Sequence, residues 1–157
     1  MTWKLKSDLE KEYSPTNNHF KMPTTNEIIE FVKKNTGLEN ITADTDIFDN
    51  GVVGDDFHEL IDKFAKTYSV DMINYLWYFH ANEEGWSFGG LFFDPPYKKV
   101  KRIPVTPLLL TVFAKKGKWE IEYPKHQIPQ KRYDLLINTI ILVIVILGLV
   151  VAVLKKC

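Results

Sequence analysis

The sequence predicts a mainly α-helical protein with short β-strands, an α+β domain followed by one C-terminal transmembrane helix. Helix-capping residues and apolar side chains at helical spacing recur between residues 23 and 117. Residues 118–123 alternate strictly between apolar and polar, and residues 135–154 carry no charge. Within a chain of 157 residues, these patterns predict one domain with a modest core and one membrane span.

The first two helices are predicted from their termini. Residues 1–22 are polar and are expected to form a mobile lead-in, and the domain is expected to cover residues 23–123. Thr24 and Glu27 fit a capping box, and Gly37 is a stop signal. A second helix is expected from about Asp55 to Tyr68. Its buried stripe comprises Phe57, Leu60, Ile61, Phe64 and Tyr68.

The second half of the domain is predicted to contain two strands and one helix. The aromatic run at residues 75–79 favours a strand, and we expect it to pair with residues 118–123 near Trp77. Between them, Thr106 and Pro107 are typical of an N-cap and first helical position, and Gly117 ends that helix. Most aromatic side chains between residues 75 and 93 should be interior, with Phe92 and Phe93 as candidates for a flap.

A transmembrane helix is predicted at residues 135–154. Twenty residues at helical rise span about 30 Å, the thickness of a bilayer's hydrocarbon core. A buried core helix is the alternative, and the lysines at both ends argue against it. Residues 124–134 are expected to be a stiff tether and residues 155–157 a short tail. The expected membrane-interface residues are Lys131, Arg132, Tyr133, Lys155 and Lys156.

Composition limits the partners. The net charge is zero, and the part before the apolar run is slightly acidic, so we expect no nucleic acid partner. The lone cysteine, Cys157, excludes an internal disulfide. No secretory signal is recognisable at the charged N-terminus, and we therefore expect the main domain in the cytoplasm.

Tests for metal sites and catalytic groups give no positive result. The acidic loop with Asp44, Asp46 and Asp49 fails the calcium-loop pattern, because Phe48 occupies a ligand position. The four histidines lie on separate elements without cysteines, so zinc is not expected. His80 near two glutamates, Glu83 and Glu84, is the one candidate general base, although a surface histidine at a strand end is the simpler interpretation. We expect no cofactor, no metal and no enzymatic activity.

Residues 24–72 resemble an acyl carrier protein. The segment DNGVVGDDFHEL, residues 49–60, keeps Asp49, Gly51 and the pair Glu59 and Leu60 at the carrier spacing. The serine that carries the phosphopantetheine arm in that family is missing, and its position is occupied by Gly54 or, in a shifted alignment, by Asp56. The remaining segments HANEEGWSF, RIPVTPLLL and GKWEIEYP resemble a small uncharacterised bacterial family. Together with the predicted transmembrane helix, this resemblance implies a tail-anchored protein of the bacterial inner membrane.

The carrier resemblance implies a binding function. Carriers meet basic partner enzymes through the acidic face of the second helix. The equivalent partner-binding residues here are Asp55, Asp56, Glu59 and Asp62. We therefore expect a membrane-anchored, non-catalytic adaptor for a basic protein. Two alternatives remain open: an immunity-like or regulatory protein acting on a membrane partner, and a lipid-acting enzyme that uses His80.

Overall fold

The computed structural model describes residues 22–85, 87–129 and 131–155. Its α-helices are α1 (Thr25–Thr36), α2 (Gly54–Tyr68), α3 (Pro107–Lys116) and α4 (Tyr133–Leu154). Three short 3₁₀ turns lie at Trp77–Phe79, Gly89–Leu91 and Pro96–Lys99. The mainly helical class is confirmed. The predicted lead-in, apart from Met22, lies outside the described residues, as do Lys156 and Cys157.

The helix termini follow the local signals in the sequence. Thr24 and Glu27 form the complete capping box of α1, with the Glu27 N–H donating to the Thr24 hydroxyl at 3.2 Å. Gly37 ends α1 in the left-handed conformation at φ 74°. Thr106 caps α3, Pro107 is its first residue, and Gly117 follows its last residue at φ 67°. These short-range signals therefore predict helix boundaries to within about a residue.

The core lies between α1, α2 and α3, with α1 packed against both other helices. The stripe predicted for α2 is buried at Phe57, Leu60, Ile61 and Phe64 and half-buried at Tyr68. Trp119, which follows α3, is fully buried and packs its ring against Phe113 at 4.5 Å between centroids. The remaining fully buried core side chains include Ile28, Val32, Ile47, Val105 and Leu110.

The two predicted strands are wrong for the described residues. The aromatic run folds into the 3₁₀ turn Trp77–Phe79, and residues 118–123 join no sheet. A single parallel bridge links Asp71 with Lys118, through the Trp119 N–H donating to the Asp71 carbonyl at 2.8 Å. Residues 118–123 nevertheless alternate between exposed and buried or half-buried positions. Alternating apolar and polar residues indicate that one face of a segment is buried. They form a β-ladder only where a second extended segment lies alongside.

The acidic loop before α2 is held by an arginine from a distant segment. The Arg102 guanidinium contacts Asp46 and Asp49, each at 2.7 Å, and lies 4.7 Å over the centre of the Phe48 ring. The Ile47 N–H also donates to the Val105 carbonyl at 3.0 Å. Two of the three loop aspartates that suggested a cation site therefore balance a protein cation.

Candidate functional site

The start of α4 is docked onto the domain by the turn Gly89–Leu91. The Gly89 N–H donates to the Asn138 side-chain oxygen at 2.8 Å, and the Asn138 amide donates to the Ser87 hydroxyl at 3.0 Å. The same hydroxyl accepts the Gly90 N–H at 2.9 Å. The polar side chain inside the apolar run is therefore satisfied by the domain.

Gly89 is required at this contact by the closeness of two backbones. A Cβ atom added at Gly89 would lie 1.9 Å from the carbonyl oxygen of Asp134. Since the obstacle is backbone rather than a movable side chain, any larger residue must separate the turn from α4. Gly89 and Asp134 are both buried, although α4 beyond its first turns is exposed.

An ion-paired cluster closes the same junction. Arg132 donates two hydrogen bonds to Glu83, at 2.8 and 2.7 Å, in a bidentate arrangement. Its Nε also donates to Asp134 at 2.9 Å. These hydrogen bonds, to Asp134 first and then Glu83, raise the pKa of Arg132 above its ordinary value. Arg132 therefore joins a domain loop to the beginning of α4.

The membrane-interface residues fall into different environments. Lys131, Tyr133 and Lys155 are exposed, whereas Arg132 is half-buried in its ion pairs. Their contact with headgroups stays a prediction. The helix itself begins at Tyr133, so the last two residues expected to form a tether are its first turn. It is 22 residues long, its most apolar 18-residue window has a mean hydropathy of 3.1, and it is long and apolar enough to cross a membrane.

The four acidic residues proposed for partner binding are all exposed on α2. At 100° per residue, Asp55, Asp56, Glu59 and Asp62 lie within an arc of about 120°. Glu59 pairs with Lys63 at 2.7 Å, and this contact lowers the pKa of Glu59. The three aspartates form no ion pair with any described residue. We call these four residues the acidic arc.

A side chain at the carrier serine position would require Glu84 to move. Gly54 is buried at φ 51°, and a Cβ atom there would lie 1.8 Å from the side chain of Glu84. Its N–H donates to the Asn82 side chain at 3.2 Å, so a loop distant in sequence caps α2. Asp56, the position in the shifted alignment, is exposed and carries a carboxylate.

His80 is fully buried, so its expected position at the surface is wrong. Its Nδ1 donates to the Ile103 carbonyl at 3.0 Å, because that oxygen can only accept. Nε2 then accepts the Tyr123 hydroxyl proton at 2.9 Å, and this hydroxyl accepts the Trp119 indole N–H at 3.0 Å. Burial lowers the pKa of His80 to about 4.

The contacts of His80 fit a structural role. Both ring nitrogens have partners within the protein, and Glu83, one of the expected carboxylate partners, pairs with Arg132 instead. Glu84 covers Gly54. The aromatic run at residues 75–79, directly before His80, was the available sequence signal for the burial of His80. Within the described residues, no three His, Cys, Asp or Glu side chains are grouped so as to hold a metal ion.

The aromatic residues divide into two groups. Residues 75–79 are buried or half-buried, as expected, but Phe92 and Phe93 are exposed next to α4. Gly89 and the pairing of Arg132 with Glu83 were missed, because their partners lie more than 40 residues away in sequence.

Comparison with known proteins identifies a family without an assigned activity. A family model described as "Protein of unknown function (DUF1493)" matches residues 9–122. The match includes α1, α2 and α3 and ends before α4. No curated protein and no solved structure matches the chain.

Proposed function

The chain belongs to the family described as "Protein of unknown function (DUF1493)", and from its own geometry we propose that it is a membrane-anchored, non-catalytic adaptor. In this proposal α4 crosses the bacterial inner membrane, the domain lies in the cytoplasm, and the acidic arc binds a basic protein. The observation that carries the proposal is an exposed acidic helix face on a domain docked to a helix apolar enough to span a bilayer.

The charge distribution on α2 supports protein binding. Asp55, Asp56 and Asp62 form no ion pair with a described residue, so their charges are available to a partner. Opposite charges across an interface speed encounter and select the partner more than they add affinity. Arg102 and Arg132, in contrast, are already occupied by carboxylates of this chain.

The geometry at Gly54 supports an adaptor without a prosthetic group. The carrier resemblance supplies a surface for enzymes of acyl metabolism, while Glu84 fills the space that a serine side chain at position 54 would need. The proposed partner is therefore a basic protein of acyl metabolism, recognised without transfer of an acyl group.

Charge reversal tests the acidic arc. Asp55, Asp56 and Glu59 would be changed together to lysine in the full chain, followed by co-purification from detergent-solubilised membranes of the native host. We expect the loss of a basic protein that the unaltered chain retains. The matched control reverses Glu39, Asp44 and Glu122, three exposed acidic residues outside α2. Equal retention by both variants would contradict the adaptor proposal.

A second candidate, regulation of a membrane partner through α4, is favoured by the docking of the helix. A helix that serves only as an anchor needs no hydrogen bonds to its domain, yet Asn138 binds Gly89 and Ser87. Replacing residues 140–154 with an unrelated apolar sequence leaves this junction intact. An adaptor should keep its partner after the exchange, whereas a regulator that acts within the membrane should lose it.

A further inference from the structure

Exposed apolar side chains follow the turn that contacts α4. Leu91 and Phe92 are each 73% exposed, and Phe93 is 46% exposed. Such side chains are costly in water when they are adjacent, and contiguous patches commonly mark interaction surfaces. We call Leu91, Phe92 and Phe93 the apolar wedge.

The apolar wedge is continuous with the beginning of α4. The Phe93 ring lies 5.6 Å from the Tyr133 ring, and the preceding Gly89 is hydrogen-bonded to Asn138. Leu135 and Leu136, in the first turns of α4, are also exposed. The contact between Phe93 and Tyr133 therefore joins the wedge to the first turn of α4.

The length of α4 sets the depth of this surface. Residues 139–154 are sixteen residues and span about 24 Å, less than the hydrocarbon core of about 30 Å. The apolar run reaches about 30 Å only if it begins at Leu135. Asn138 lies one helical turn after Leu135, and its side chain is hydrogen-bonded to Gly89 of the domain. This contact places the segment Gly89–Leu91 at the boundary between headgroups and acyl chains.

Lysines and one exposed aspartate, Asp94, lie beside the aromatic part of the wedge. Lys99 and Lys131 line the same crevice as Phe93 and Tyr133. These two lysines and Lys98 are exposed, and none forms an ion pair with a described residue. Lysines beside aromatic rings at a membrane surface are suited to the phosphates of anionic lipids.

We propose that the apolar wedge inserts into the surface of the bilayer that α4 crosses, with Lys98, Lys99 and Lys131 contacting anionic headgroups. The inference rests on the proposed membrane span of α4. It adds a second membrane contact, which holds the domain against the bilayer instead of leaving it on a flexible stalk.

Depth-dependent fluorescence quenching tests the wedge. The full chain with Cys157→Ser would receive one cysteine at a time, Phe92→Cys, Ile73→Cys or Val150→Cys, each labelled with an environment-sensitive dye. The proteins would be reconstituted in mixed phosphatidylcholine and phosphatidylglycerol vesicles. Ile73 is the matched control, because it is 83% exposed and lies outside the wedge. Lipids spin-labelled at different depths and aqueous iodide serve as quenchers.

We expect shallow spin-labelled lipids to quench the dye at position 92. Position 150 is about 22 Å along the apolar run, within the acyl chains of the far leaflet, so lipids labelled along their acyl chains should quench the dye there and iodide should not. Iodide alone should quench the dye at position 73. If position 150 is not quenched by lipid, α4 does not cross the bilayer, and the proposed membrane span fails along with the wedge. If position 150 is quenched by lipid but position 92 behaves like position 73, the wedge alone is overturned.

Charge neutralisation tests the headgroup contact. Lys98→Gln, Lys99→Gln and Lys131→Gln together should reduce lipid quenching at position 92 at least twofold in the anionic vesicles. In vesicles of phosphatidylcholine alone the same changes should leave quenching unaltered, because these headgroups carry no net negative charge to attract the lysines. An equal effect in both vesicles, or none in either, would overturn the headgroup assignment.

Discussion

The His80 network in the domain interior and the Arg132 network at the start of α4 both join segments more than 40 residues apart, but only the second is ionic. The hydrogen-bond partners of His80 are neutral and its side chain is fully buried, whereas Arg132 is half-buried between two carboxylates. The neutral network contributes to stability only while His80 stays uncharged. The ionic network fixes the position at which α4 leaves the domain. We expect its removal to destabilise only this junction.

Acid should break the neutral network first. Burial lowers the pKa of His80 in the folded chain to about 4 from an ordinary value of 6.5, so the unfolded chain takes up its proton at a higher pH. The stabilisation is present above pH 6.5 and is lost as the pH falls towards 4, by about 3 kcal/mol in all. Urea unfolding of the full chain in nanodiscs, followed by tryptophan fluorescence, measures it.

Two histidine variants isolate this contribution from the carboxylates that also titrate. Across the same pH range, the free energy of unfolding of His80→Gln should fall by about 3 kcal/mol less than that of the unaltered chain. His126→Gln changes an exposed histidine and should keep the full acid dependence. Identical pH profiles for the unaltered chain and His80→Gln would contradict a neutral buried His80.

Removal of the Tyr123 hydroxyl should have the next largest effect. Tyr123→Phe leaves the Trp119 indole N–H and the Leu76 N–H without their acceptor, which should cost about 2 kcal/mol in the free energy of unfolding. Tyr78→Phe is the control, because its hydroxyl contacts the exposed His126. That change should cost less than about 0.5 kcal/mol. Equal losses would mean that Tyr123 does not connect the interior network.

The ionic network should show the smallest and most localised effect. Arg132→Gln removes the pairing with Glu83 and Asp134, and because Arg132 is partly exposed we expect a cost of about 1 kcal/mol. Hydrogen exchange should quicken roughly fivefold at the Gly89 N–H and leave α1 to α3 unchanged. Arg102→Gln, the control, should quicken exchange near residues 46–50 instead. Quickened exchange throughout the domain would show that the junction is not a separate unit.

The helices could be predicted because their signals are short-range. Thr24, Glu27 and Gly37 define α1 within three residues of its ends, and Thr106 with Pro107 does the same for α3. Strand formation was predicted wrongly, because alternation at residues 118–123 shows which face is buried but not whether a partner strand exists.

The candidate site was less predictable than the fold. The acidic arc could be identified from α2 alone, since residues on one helix have fixed angular positions. The docking of α4 depends on Gly89 and Asn138, which are 49 residues apart in sequence. It also depends on Arg132, which pairs with Glu83, again 49 residues away. A polar residue inside an apolar run, Asn138, was the one local signal for it.

The hydrogen bonds and ion pairs at the start of α4 join the domain and the helix into one rigid unit. Transmembrane helices, as we propose α4 to be, adapt to bilayer thickness partly by tilting, and their tilt angles range from 0 to about 40°. A domain on a flexible linker would keep its orientation when the helix tilts. In this protein the contacts of Gly89 and Arg132 hold the domain to the start of α4. The direction in which the acidic arc points would then vary with the thickness of the membrane.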